Sequence, residues 1–94
     1  MNKVIITAEI EDSKKWEEGF RTHSELFRKQ TTKAVHFATT DANEVAICTT
    51  VENLDKYMEV LNSPATAEAM AFDGVKRETV KVFVLDKELV QVGQ

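Results

Sequence analysis

The chain holds one cysteine, one proline and three glycines in 94 residues. A lone thiol, Cys48, cannot close an internal disulfide, so a reducing compartment, the cytoplasm, is expected. The scarcity of glycine and proline argues against a disordered chain. No apolar run approaches the roughly 18 residues of a membrane span. The N-terminal stretch MNKVIITAEIEDS lacks the long apolar segment of a signal peptide and soon meets Glu9, Glu11 and Asp12. Basic charge is not in excess either: 12 Lys and Arg stand against 16 Asp and Glu, for a net charge of −4. Nucleic-acid binding depends on Lys and Arg gathered on one surface, and these are scattered, so no nucleic-acid partner is expected. There is no Cys-x-x-Cys and no spaced His/Asp/Glu set, so no metal site is expected.

What is present is 43% hydrophobic and 30% charged, an ordinary globular balance. One domain, residues 1–94, is expected, burying about 60–65% of the surface its unfolded chain exposes. Val4 to Ile10 alternates apolar residues with a period of two and predicts a strand. Asp12 or Ser13 offers an N-cap to a helix running to Lys29, and Gln30-Thr31-Thr32 has the low helix propensity that stops it. Lys33 to Thr40 and Glu44 to Val51 predict a hairpin turning at Asp41-Ala42-Asn43. A second helix opens at Glu52 or Asn53 and closes at Asn62. Ser63-Pro64 restarts a helix that ends at Gly74. Glu78 to Leu85 predicts the last strand, and the tail from Asp86, with Leu89, Val90 and Val92, is a candidate arm. The order β-α-β-β-α-β with right-handed crossovers is an α+β, ferredoxin-like sandwich: four antiparallel strands with the helices on one face.

The strand faces separate two surfaces. Val4, Ile6, Ala8, Ile10, Val35, Phe37, Val45, Ile47, Val51, Val80, Val82 and Val84 are assigned to the helix side. The other side holds Ile5, Ala34, His36, Ala38, Ala46, Cys48, Phe83 and Leu85, too apolar a set to leave in water. A second copy packed sheet to sheet covers it with one self-complementary patch, so a homodimer through Ile5, His36, Cys48 and Phe83 is expected. An RNA-recognition sheet of this topology needs aromatics on its two central strands, and VIITAEI and EVAICTTV have none.

In the first helix, Trp16, Phe20, His23 and Phe27 fall on one face at ~100° per residue. An imidazole among aromatics needs a partner or a job. Either His23 is a general base or ligand anchor, or it is a helix histidine bonded to a carbonyl or a carboxylate. Trp16, Phe20, Phe27, Tyr57 and Phe72, with Met58 and Met70, either line an aromatic pocket or are plain core. Gly19, Ala67, Ala69 and Ala71 leave room for a cavity.

Three blocks carry a resemblance to a known family: KWEEGFRTHSELFRK, with Trp16, Phe20, His23 and Arg28; DANEVAICTTVENLDKYMEVLNS; and SPATAEAMAFDGV. Together, in this order, they resemble the dimeric α+β barrel superfamily, especially its antibiotic-biosynthesis-monooxygenase-like, or cyclase-like, branch. The chain departs from that pattern at Gln30-Thr31-Thr32, where relatives often have a glycine. It departs again at Lys76-Arg77-Glu78, where a proline commonly follows Gly-Val. The resemblance implies dimerisation through the sheets and a pocket between sheet and helices, with Trp16, Phe20 and His23 on its wall. It also implies a cofactor-free monooxygenase or cyclase-like activity on a small aromatic or polyketide-like substrate, with His23 catalytic. The alternatives are a non-catalytic homodimer that binds a small molecule or is purely structural, and, third, haem binding through His23.

Overall fold

A computed structural model describes residues 2–89 of the chain. Strands β1 (Asn2–Glu9), β2 (Thr32–Thr39), β3 (Glu44–Val51) and β4 (Lys81–Val84) form one sheet in the order β2-β3-β1-β4, with every neighbouring pair antiparallel. This is the ferredoxin-like arrangement. The helices of both crossovers cover one face: α1 (Ser13–Phe20) and α2 (Ser24–Lys29) in the first, α3 (Leu54–Leu61) and α4 (Pro64–Phe72) in the second.

The first helix is therefore two, not one running from Ser13 to Lys29. Gly19 weakens its last turn, and the Thr22 hydroxyl donates back to the Gly19 carbonyl at 2.6 Å. The backbone tightens there to i→i−3 bonds, Thr22 N to Gly19 O at 3.0 Å and His23 N to Phe20 O at 3.2 Å. His23 leaves the helical region at φ −96°, ψ 29° and becomes the N-cap residue of α2. It thus stands at a break between two helices rather than inside a stripe.

The last strand is also shorter than Glu78 to Leu85. Arg77–Thr79 forms a single 3₁₀ turn, and β4 begins at Lys81. The Thr79 hydroxyl, rather than its backbone, accepts from Glu9 N at 2.9 Å, so no ladder forms there. Of the candidate arm, Asp86 to Leu89 has no regular structure and Leu89 is exposed. Val90 and Val92 lie outside the described residues.

The remaining boundaries follow local chemistry. Asp12, Asn53 and Ser63 cap α1, α3 and α4 with their side chains, and Pro64 opens α4. Gly74 at φ 77° takes the left-handed position after α4, where its missing Cβ matters. Thr31 is left-handed too (φ 58°), a strained state for a β-branched residue. It is held by the next crossover: Glu52 N donates to its carbonyl at 3.2 Å and Asn53 N to its hydroxyl at 3.1 Å.

The core lies between sheet and helices, in two clusters: Val4, Ile6, Val51 and Tyr57, then Ala8, Ile10, Trp16 and Val45. On the other face, His36, Cys48, Ile5 and Phe83 are register partners in one row across all four strands. Phe83 and Leu85 there are 48% and 50% exposed.

Candidate functional site

Beside the two clusters the helix layer stands off the sheet and leaves a cavity of about 80 Å³. Trp16 stacks on Phe20 with ring centroids 4.5 Å apart, and Phe27 meets the Phe20 edge at 5.2 Å. Phe37 of β2 joins Trp16 at 5.4 Å and Phe20 at 5.3 Å, with the Arg21 guanidinium 5.3 Å above its ring. Trp16, Phe20, His23, Phe27 and Tyr57 all line the cavity. Phe72 does not: it is 72% exposed and lies off the wall, because the face of α4 that turns inward carries Thr66, Ala69, Met70 and, just past its end, Asp73.

His23 has a partner that the sequence reading did not find. Its Nε2 lies 2.7 Å from Oδ2 of Asp73, the residue that ends α4. Asp73 is 3% exposed, and its Oδ1 has no partner among the described residues. The carboxylate lies so close to α1 that a Cβ on Gly19 would overlap Oδ1. A trace of this was present in the sequence. A helix C-terminus repels negative charge, so an aspartate just before the terminal glycine is an anomaly that asks for a cationic or hydrogen-bonding partner.

This geometry defines what the imidazole can do. A neutral ring that donates Nε2–H to Asp73 keeps its lone pair on Nδ1. Nδ1 has no partner among the described residues and is not among the sealed unpaired atoms. It is therefore open to accept a proton. Such a pair can serve as a base held by an orienting carboxylate, and no Cys or Ser lines the cavity among the described residues.

Most other polar groups on the wall are satisfied. The Thr66 hydroxyl donates to the Val60 carbonyl at 2.6 Å and the Thr49 hydroxyl to the Val4 carbonyl at 3.3 Å. Burial pushes the Tyr57 phenol above its ordinary pKa, and a hydrogen bond with Thr49 offsets part of that rise. Gln30, read from sequence only as part of a helix stop, is buried on the same wall. His36 is exposed on the opposite sheet face beside half-buried Cys48, so the two histidines do not converge.

No family model and no curated protein matches the chain. Solved structures do. A Bordetella bronchiseptica protein, provisionally named an antibiotic biosynthesis monooxygenase, aligns with TM-score 0.72 at 17% identity, over 94% of this chain and 97% of its own. The chain shares its ferredoxin-like fold. SnoaB of Streptomyces nogalater, a cofactor-independent oxygenase, shares this fold with TM-score 0.68 at 11% identity, over 98% of this chain and 96% of its own. An Arabidopsis thaliana protein shares it with TM-score 0.68 at 18% identity, over 98% of this chain and all of its own (100%). At such identities the likeness is one of fold.

Proposed function

We propose that the protein is a cofactor-free oxygenase of a small phenolic substrate, with His23 as general base. The observation that carries this is the 2.7 Å contact between His23 and buried Asp73 on the wall of a largely apolar cavity. The name of SnoaB, a cofactor-independent oxygenase of the same fold, supports the reading. A phenol with a free ring position is its own reductant. His23 takes the phenolic proton, and the phenolate passes electrons to molecular oxygen. A C–O bond then forms at the ring, and the O–O bond breaks. One phenol plus O₂ becomes one quinone plus one water: the proton held on His23 and the hydrogen lost from the attacked ring carbon both end on the departing oxygen. At about 80 Å³ the cavity is smaller than the roughly 150 Å³ of one that takes benzene, so a single ring is the largest ligand proposed and its entry requires the wall to yield.

Oxygen uptake with a panel of single-ring phenols tests the reading. His23→Ala should lower uptake at least tenfold. Asp73→Asn, which presents an amide donor to Nε2 and reverses the tautomer, should lower kcat with little change in KM. His23→Gln, which still reaches Asp73, controls for loss of fold. No uptake by the wild type across the panel sinks the proposal.

A second reading is a non-catalytic homodimer that binds a small molecule. It is favoured by the role the His23–Asp73 pair has in covering a buried charge. Under either reading, residues 1–94 act as one unit that pairs with a second copy through the row His36, Cys48, Ile5 and Phe83. The cytoplasm, where Cys48 stays reduced, is its proposed location. Among the described residues no helix is long and apolar enough to cross a membrane.

A further inference from the structure

Gln30 is only 5% exposed, yet its side-chain amide has no hydrogen-bond partner among the described residues. The sealed side-chain atoms left unpaired there are Thr32 Oγ1 and Asp73 Oδ1 alone. The Gln30 amide is thus neither bonded to a described residue nor sealed, and the residue lines the cavity. An unpaired amide at such a buried position costs stability that a leucine or methionine would not. The position makes sense if something in the cavity completes it.

Gln30 and His23 are the two end residues of α2, N-cap and C-cap. Seven residues at about 1.5 Å rise place their backbones on the order of 10 Å apart. Both residues line the cavity, so a ligand lying along α2 can meet one at each end. Between them the wall is mostly aromatic and aliphatic, and its Thr49 and Thr66 hydroxyls are already bonded. It holds no Lys or Arg, and the buried carboxylate of Asp73 repels anions. The cavity is therefore apolar with a polar group at each end, one a base and the other a neutral donor and acceptor.

We infer that Gln30 is a specificity-determining residue that hydrogen-bonds a second, neutral oxygen of the ligand across the ring from His23. The ligand class is an uncharged single-ring phenol bearing a hydroxyl or carbonyl opposite the group His23 receives. This deepens the oxygenase reading and rests on its placing of the ligand in this cavity, but it concerns binding and needs no turnover.

Hydroquinone and p-cresol have the same shape and differ by one hydroxyl against one methyl. Calorimetric titration of both under argon, into wild type and Gln30→Met, reads the contact directly. The ratio of Kd for p-cresol to Kd for hydroquinone should fall at least fivefold in Gln30→Met, the weight of one neutral hydrogen bond. Gln30→Leu should give the same fall, which guards against a fault of fold in one variant. An unchanged ratio overturns the inference even if oxygen uptake is intact, since the amide then meets only water. Failure of both ligands to bind the wild type overturns it together with the oxygenase reading. A shifted ratio without any oxygen uptake supports the Gln30 contact and removes the oxygenase reading alone.

Discussion

His23 and Asp73 are each the reason the other is tolerable. Asp73 brings a carboxylate into the helix–sheet layer at a helix C-terminus, where burial and the dipole both oppose it. His23 supplies the donor that offsets both. Replacing His23 by leucine fills the space but leaves the carboxylate unpaired. His23→Leu should therefore lower stability by about 3 kcal/mol in urea unfolding, and adding Asp73→Leu should restore most of it. If His23→Leu matches the wild type in stability, the pair has no such role. Tyr57 makes a second residue-scale prediction. Its buried phenol has a pKa above the ordinary 10.0, so unfolded chains lose this proton first as pH climbs past that value. The stability it contributes is intact at neutral pH and drains away as pH rises toward the folded-state value. Between about pH 8 and 11 the urea midpoint should fall more steeply in the wild type than in Tyr57→Phe, and parallel curves would refute this.

The decisive event among the elements is the break between α1 and α2. It turns one amphipathic run into two short helices and sets His23 where it reaches the end of α4. The aromatic stripe was legible, because Trp16, Phe20 and Phe27 still form one connected cluster. The break was not, because a glycine and a threonine three residues apart also occur inside unbroken helices. The approach of α4 to α1 depends on Gly19, where a Cβ would overlap Asp73. Gly19→Ala should improve helix propensity locally yet destabilise the protein by about 2 kcal/mol, because the carboxylate must move. The readout that separates this from simple crowding is the His23 imidazole resonance. It should shift in Gly19→Ala and stay put in a crowding control such as Ala69→Val. An unmoved resonance in Gly19→Ala means the carboxylate keeps its place on His23 and the helix backbone gives way instead.

At the scale of the whole molecule the sheet has two apolar faces, and the helices of the described residues cover one of them. Ile5, His36, Cys48 and Phe83 stand in a single row, with Phe83 about half exposed. Ile5→Lys at the centre of that row puts a charge where a second copy would pack, and should convert a homodimer to monomer in sedimentation velocity with the circular dichroism unchanged. A wild type that sediments as a monomer at micromolar concentration refutes the sheet-to-sheet dimer. A single sheet with one helix layer gains from such cover, since a chain of 94 residues has a modest core.

Sequence alone determined the order of elements, their turns and caps, the face each strand turns to the helices, and the aromatic wall. These depend on local periodicity and on residues that act within a few positions of themselves. The tertiary structure decided what the wall encloses. It paired His23 with a residue 50 positions away, left Phe72 outside, ended β4 early and turned Gln30 inward. Each of these depends on how two crossovers meet over one sheet. No periodicity records that distance.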